Sequence, residues 1–472
     1  MSDRRRRSAD RPRGTRTAPK PNPNGPTVQE LLEQERTEVP PVLRKTGSVF
    51  LGEEPIGKER YTSQAFFDRE MTHMWSRVWQ MACRADDIPA VGDYVVHRIG
   101  DTSLLVVRAE PGRIRAFYNV CLHRGRLLRE EDGHAEEFRC PFHAFTWRLD
   151  GSCKQITSQW DFEYLDKDSF GLPEVHVDTW GGFVFVNLDD DPEPLQSYLE
   201  DVPADYATRG WSLEGRAKTV HVQKVNRCNW KVALEAFIES FHVLETHPGI
   251  MPYIGDAYTQ YDVWPDKRHS TRMIVPRGIH SPHMAPISDL EVYRSGAKVY
   301  APDQTRELEL PEGLTPRQAM GDLRRDFLAR TAGIDTSGLT DCEVLDTIQY
   351  HIFPNLVCWA GWNTFMMYRF LPNGTDVDSS IMEVMFLVPR VEGRRYEERR
   401  EPTRLTADQK YTDAPELGRT GGVFEEDTSN MAAVHKGLKA MKGPGARLAS
   451  YQENRIRFFH AILDSYLERP LG

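Results

Sequence analysis

The sequence predicts an α+β protein, an N-terminal all-β domain followed by a larger domain in which an antiparallel sheet is flanked by helices. Three observations carry this. Between about residues 80 and 190 the apolar pattern has the period of strands, in the short β-branched runs "GDYVVHRIG", "SLLVVRAE", "RIRAFYNV" and "GGFVFVNL". A second set of strand-like runs follows much later, in "TIQYHIFPNLVCWAGWNTFMMYRFLP" and "SSIMEVMFLVP". Helical spacing fills the stretches before, between and after these two sets.

Taken in order, residues 1–38 read as a leader: "MSDRRRRSADRPRGTRTAPKPNPNGP" is basic and Pro-rich with almost no apolar residues, so it is expected to be disordered. A short helix should begin after Thr27, which has Glu30 three residues on, and stop before Pro40 and Pro41. Residues 39–78 form an N-terminal helical segment centred on "SQAFFDREMTHMWSRVW", and residues 79–190 the all-β domain. Residues 191–472 make the second domain. It opens with a helical patch at "PLQSYLEDVPADYA", then "HVQKVNRCNWKVALEAFIESFHVLETHPGI" reads as a strand running into one long helix.

The bulk numbers bound the function. A chain of 472 residues with 39% hydrophobic content can bury more than one core. No run approaches the roughly 18 apolar residues of a membrane span, and no apolar segment near the start makes a signal peptide, which predicts a cytoplasmic protein with no membrane role. A net charge of -10 argues against nucleic acid as a partner despite "RRRRS" near the start. Seven cysteines, at 83, 121, 140, 153, 228, 342 and 358, are odd in number and scattered, so free thiols are expected, with a metal role for a subset.

That subset lies in "CLHRGRLLREEDGHAEEFRCPFH". Cys121 and His123 are followed, after the sixteen residues 124–139, by Cys140 and His143. Each half offers one thiolate and one imidazole. A zinc finger pairs Cys with Cys and His with His within a shorter unit, whereas a 2Fe-2S centre with two thiolates on one iron and two imidazoles on the other suits the alternation. A structural zinc site is the alternative. A second constellation lies in "NWKVALEAFIESFHVLETHPG", where His242 and His247 are five apart and Glu239 precedes the first by three. Two imidazoles and one carboxylate are what a mononuclear non-heme iron needs, with open positions left for oxygen. The third ligand is sought in "GGVFEEDTSNMAAVHKGL", where Glu425, Glu426 and Asp427 enter a helix with Thr428 and Ser429 at its start. Glu425 and Glu426 are read as a solvated helix N-terminus.

"CLHRG" and "CPFH" resemble the cluster-binding boxes of Rieske proteins. From about residue 40 to the C-terminus the chain resembles the oxygenase component, the alpha subunit, of Rieske non-heme iron ring-hydroxylating oxygenases, through those boxes, the "NWK" entry, the His-x4-His pair, "IFPN" and the late acidic segment. The resemblance implies a Rieske 2Fe-2S domain and a helix-grip-like catalytic domain. It implies Cys121, His123, Cys140 and His143 as cluster ligands and His242, His247 and Asp427 as ligands of Fe(II). Glu239 falls where the family places a carboxylate that links the cluster of one subunit to the iron of the next, within a homotrimer or a trimer that also holds a small beta subunit. The chain departs from the family around the second box, at Phe142, Ala144 and Phe145, and at Ala236.

The implied function is the terminal component of a multicomponent oxygenase. It would take electrons from NAD(P)H through a separate ferredoxin or reductase, since no Gly-rich dinucleotide fingerprint follows a strand, and use O2 to oxidise a small organic substrate. Phe241, Trp359, Trp362, Phe365 and Met366 would suit a bulky aromatic or alicyclic compound, taken to the mono- or cis-dihydroxylated product. A quaternary ammonium substrate is the alternative, suggested by the Glu at position 239, and a non-catalytic Rieske electron carrier is the alternative from another class. About a hundred residues between His247 and "QYHIFPN" are expected to build walls and a lid over the pocket.

Overall fold

The structure, a computed structural model, describes residues 18–300 and 308–470. The basic run of the leader lies outside the described residues. From residue 18 onward the expectation of disorder fails. The predicted helix is present as Val28–Leu32, and Thr27 and Glu30 close a reciprocal capping box on it. Val28, Leu31 and Leu32 are buried in the core. Glu35 accepts from the backbone N–H groups of Asp341 (2.6 Å) and Cys342 (2.9 Å), closing the start of the helix Asp341–Leu345. Three apolar residues and one capping carboxylate thus anchor the end of a leader expected to be disordered through residue 38.

After two short helices, Pro41–Arg44 and Glu59–Thr62, the helix Gln64–Glu70 is capped by Ser63 and runs on as a π-helical turn, Met71–Trp75. It carries Glu70 into the interior, where the carboxylate meets Lys231 Nζ at 2.5 Å with neither side chain exposed. Trp230 Nε1 donates to the same carboxylate at 3.2 Å.

The all-β domain contains an antiparallel sheet in the order Gln80–Arg84, Phe183–Asn187, Glu174–Trp180, Arg113–Tyr118, Thr102–Glu110, Asp93–Ile99, Gly133–His134. A smaller sheet, Phe138–Arg139, Thr146–Trp147 and Cys153–Gln155, packs its own core around Phe145 and Trp147. The four strands predicted in this region are present at their predicted places.

The second domain is built on an eight-stranded sheet in the order Gln260–Asp262, Ser270–Val275, Thr347–Ile352, Leu356–Ala360, Met366–Asn373, Asp376–Val388, Ala217–Asn226, Thr403–Leu405. Its pairs are antiparallel except the last, which is parallel. The register sets Val275 opposite Thr347 and Met273 opposite Gln349, and Gln349 is in turn opposite Trp359. Met273 and Val275 therefore look out from one face with Thr347 and Gln349. The chain between the strands Ser270–Val275 and Thr347–Ile352 supplies the helices Asp289–Tyr300 and Pro316–Ala332, the second with a Thr315–Gln318 capping box and a left-handed Gly333 at its end. The helices Thr420–Ala440 and Asn454–Leu467 close the chain.

The single long helix expected after the strand at 217–226 is not formed. Asn229 caps a helix of six residues, Trp230–Glu235, and helix resumes only at Val243–Thr246. The break has a local cause. The Glu239 carboxylate accepts the backbone N–H of Phe241 and of His242, and Tyr261 Oη accepts that of Ser240 at 3.1 Å. Three consecutive donors thus find side-chain acceptors instead of carbonyls one turn back, and the helix unwinds where its chemistry is concentrated.

Candidate functional site

Two clusters of ligand-type side chains stand on differently built scaffolds. The first lies on two loops of one conformation. In the first loop Gly125 N–H donates to Cys121 O (2.9 Å) and Cys121 N–H to Arg126 O (2.8 Å); in the second Ala144 N–H donates to Cys140 O (3.0 Å) and Cys140 N–H to Phe145 O (2.8 Å). Both loops need a left-handed residue at the same step, Gly125 with φ +74° and Ala144 with φ +62°. Glycine takes that region freely, while Ala144 carries a Cβ penalty of about 1–2 kcal/mol, which the second loop tolerates.

These turns place Cys121 and Cys140 in the interior, each 2% exposed, and bring the His123 and His143 rings to 4.7 Å between centroids. The Cys121 thiol is pushed up, by burial first, and the His123 imidazole is held low by burial and then by His143 and Arg124. A neutral imidazole is the form that ligates. Nδ1 of His123 and of His143 are shielded from solvent and have no hydrogen-bond partner among the described residues. Two buried sulfurs and two orphaned ring nitrogens on a pair of like loops fit an iron–sulfur group bound by two thiolates and two imidazoles. Phe145 stacks on His123 at 4.7 Å and Phe142 lies 3.8 Å from His143, so the departures noted in this box cover the two rings.

The second cluster forms at the helix break. His242 ends the unwound segment, His247 follows the short helix after it, and Asp427 comes from the third turn of the helix Thr420–Ala440. The structure brings together the three residues expected from the sequence: one ligand atom from each lies within 4.8 Å of the others. Asp427 Oδ1 is 2.8 Å from His247 Nε2 and 3.4 Å from His242 Nε2. Burial opposes charge on the His242 ring, yet the Glu239 and Asp427 carboxylates outweigh it and hold the group at about 10. Burial likewise works to raise Asp427, and the two imidazoles overcome it and keep its carboxyl below the usual range. Two nitrogens and one carboxylate oxygen on a single patch are a donor set for a divalent metal with open positions opposite.

The ring nitrogens turned away from this cluster are also held. Glu239 Oε1 meets His242 Nδ1 at 2.6 Å, and Glu426 Oε2 meets His247 Nδ1 at 2.7 Å. Glu426 is therefore not part of a solvated helix N-terminus. The helix starts at Thr420, so Glu426 lies in its second turn, and Thr428 and Ser429 do not start it but bond back to the carbonyls of Phe424 and Glu426. Glu425 is engaged too, accepting from Tyr411 N–H at 3.0 Å. Carboxylates that orient a ligating imidazole affect metal affinity by about 10- to 100-fold. Glu426→Gln should weaken iron binding by that order, read as the chelator concentration that strips the metal; unaltered chelator resistance would remove the role.

The cluster opens onto a cavity of about 270 Å³ walled by Phe237, Tyr253, Trp359, Met366, Tyr368 and Phe424. Val299 and Tyr300, from the long insertion, also face it, as its expected role in walling the pocket requires. Of the pocket residues read from the sequence, Trp359 and Met366 line this cavity and the others do not. Phe241 is 37% exposed, because the break in the helix turns it outward. Trp362 and Phe365 sit instead against Arg216, whose guanidinium carbon lies 5.6 and 5.3 Å from their rings. Glu239 shares no described contact with His123 or His143 within the chain. Arg277, also on the cavity, carried no signal in the sequence.

Comparison with known proteins agrees with this geometry. Residues 78–165 match the family model of the Rieske [2Fe-2S] domain, and residues 207–469 that of the ring-hydroxylating alpha subunit, catalytic domain. The glycine betaine monooxygenase oxygenase subunit of Chromohalobacter salexigens is 31% identical over 218 residues, 46% of this chain and 47% of that protein. The carnitine monooxygenase oxygenase subunit of Escherichia coli is 28% identical over 190 residues, 40% of this chain and 51% of that protein. The chain spans about half the length of the curated relatives it matches. Among solved structures, the quaternary ammonium Rieske monooxygenase CntA aligns with a TM-score of 0.61 at 18% identity, covering 88% of this chain and 95% of that one. Naphthalene 1,2-dioxygenase with indole bound aligns with a TM-score of 0.62 at 19% identity, covering 89% and 93%. Since the catalytic-domain model spans more than half of the residues and the Rieske model covers the loops that carry the paired Cys and His, the chain belongs to the ring-hydroxylating alpha-subunit family of Rieske oxygenases.

Proposed function

We propose that the protein is the terminal oxygenase of a multicomponent system, and that its substrate is a small quaternary ammonium compound. The observation that carries the first part is the convergence of His242, His247 and Asp427 at the wall of an aromatic cavity. In this reading Cys121, Cys140, His123 and His143 hold the 2Fe-2S cluster, and the triad holds Fe(II). When bound, the cluster would relay electrons from an external donor and the iron would activate oxygen, so that O2, two electrons and two protons would convert a C–H bond to C–OH with release of water.

The chain's own residues do the rest. Glu239 and Glu426 fix the ring planes and tautomers of the two histidines by bonding Nδ1 and leaving Nε2 toward the metal. Phe237, Tyr253, Tyr368 and Phe424 line the cavity and would offer aromatic surface to a cation. That feature, together with relatives named for glycine betaine and carnitine, favours the ammonium reading over the bulky aromatic or alicyclic one expected from the sequence. Electrons would come from a separate reductase or ferredoxin, and Glu239 would pass them from the cluster of a neighbouring subunit in a trimer. The seven cysteines form no disulfide with one another, in keeping with the proposed cytoplasmic location.

A count of iron and acid-labile sulfide in the purified protein tests the reading against a bare electron carrier. Two cluster irons and one more per chain are expected, together with oxidised product from a betaine-type compound and a surrogate reductase. Two irons per chain, with no product, would leave an electron carrier. Glu239→Gln, loaded with excess iron so that both metals are bound, should slow single-turnover oxidation of the cluster by at least about tenfold; an unchanged rate would refute the relay.

A further inference from the structure

Nearly every polar group on the wall of the cavity is already spoken for. Gln349 accepts from Arg455 at 3.1 Å, Asn363 donates to Leu345 O at 2.6 Å, and Ser240 bonds Thr259 and Tyr261 at 2.7 and 2.8 Å. Glu239 caps the unwound segment and holds His242. Two donors are left over, Nε of Arg277 and Nε1 of Trp359, both shielded from solvent and without a partner among the described residues.

Arg277 is the more telling of the two. It follows the strand Ser270–Val275 in step with Met273 and Val275, and like them it faces the cavity, beside Tyr253 and Tyr300. Its Nη2 donates to Thr347 Oγ1 at 3.1 Å, a neutral acceptor. The carboxylate it would be expected to pair with, Asp346, accepts only its backbone N–H, at 2.9 Å. Asp346 is taken instead by Arg317, whose Nη1 and Nη2 reach its two oxygens at 2.6 and 2.8 Å. No ion pair to Arg277 forms among the described residues. A half-buried guanidinium engaged only by the neutral hydroxyls of Thr347 and Tyr300, with its Nε shielded and unpaired, has room for the anion that its own chain does not supply.

We infer that Arg277 is a specificity-determining anchor for a carboxylate on the substrate, so that the cavity takes a molecule bearing an anionic head at one end and the oxidised, methylated or otherwise apolar group at the other. This rests on the reading of the cavity as the substrate site. It narrows the ammonium proposal to zwitterions, since a plain cation such as choline would meet an uncompensated positive charge. Trp359 Nε1 is a second donor on the same wall, available to an acceptor oxygen.

The test uses the holoenzyme and matched pairs that differ only in the charge of the head: glycine betaine against its methyl ester, and benzoate against benzamide, each followed by titration calorimetry. In the wild type the carboxylate of at least one pair should bind about 10- to 100-fold more tightly than its neutral partner. Arg277→Gln should erase that preference by weakening the carboxylate alone, and Arg277→Lys should restore part of it. Equal binding of acid and neutral partner in the wild type would overturn the anchor, as would a preference that survives in Arg277→Gln, or failure of either carboxylate to bind at about 10 mM. The wild-type comparison stands even where a variant does not fold, which the cluster's visible spectrum reports. A preference seen only in the benzoate pair would keep the anchor and remove the ammonium reading; a preference without any oxidised product would keep the anchor and remove the oxygenase reading.

Discussion

Asp427→Ala should abolish product formation while the protein keeps the visible spectrum of its cluster. The side chain offers the one carboxylate oxygen that sits within 3.4 Å of both His242 Nε2 and His247 Nε2. Glu426, one residue before it, cannot take its place, because its carboxylate is directed to Nδ1 of His247, the ring nitrogen turned away from the cluster. Loss of a residue that merely orients a ligand lowers metal affinity by about 10- to 100-fold, and loss of a ligand itself should exceed that. The four cluster-type residues stand on a different sheet and loops of the all-β domain and share no hydrogen bond with Asp427, so the colour should persist. The measurements are iron per chain, the visible spectrum and product by mass spectrometry. Wild-type turnover in the variant would reject the assignment of Asp427, and bleaching would show that the two centres are not independent.

Lys231→Met should cost about 3–5 kcal/mol of stability, the largest single effect expected outside the site. Glu70 and Lys231 are wholly buried, and each is the other's counter-charge at 2.5 Å. Burial pushes Glu70 up, and Lys231 is the main influence pulling it down; burial pushes Lys231 down, and Glu70 is the main influence pulling it up. Removing the ammonium leaves a carboxylate with the Trp230 indole N–H as its remaining donor. In the variant, Glu70 should titrate well above its unfolded value. A group raised in the folded state adds stability below its unfolded pKa and loses it as pH rises through the folded pKa. The penalty should therefore be smaller near pH 5 than near pH 8. Denaturant melts at the two pH values measure this, and a penalty independent of pH would mean that Glu70 finds another partner. Changing both residues to apolar ones of similar volume should recover much of the loss, because the unpaired charge, rather than the missing ion pair, carries the cost.

These two cases mark what the sequence could and could not reveal. The Cys-x-His boxes were legible because all four groups lie within 23 residues and their alternation has a chemical meaning. His242 and His247 were legible by spacing, whereas Asp427, 180 residues away, was reachable only through resemblance to a family. The continuous helix predicted from residue 230 failed because a side chain, Glu239, competes for backbone donors at the point where the pattern reads as unbroken. Phe241 was misplaced as a consequence, since its direction was read from that helix. Glu426 looked like an ordinary acidic residue near a helix start until the true start, Thr420, and the approach of His247 were known. Arg277 shows the limit most plainly. In "STRMIVPRG" nothing separates it from Arg272, which is buried against Asp262 at 2.7 Å; only the sheet register tells which arginine is paired and which faces open space.

The break in the helix divides the labour of the site between two kinds of backbone. His242 and its partner Glu239 ride on the unwound stretch, whose shape is dictated by its own side chains, while Met273, Thr347, Trp359 and Met366 belong to the sheet that lines the same cavity, and Arg277 directly follows one of its strands. Changes on those strands can therefore resize or recharge the wall without moving a metal ligand. What fits in the cavity and what holds the metal-type side chains are thus set by separate stretches of backbone, and the first can be altered while the second keeps its form.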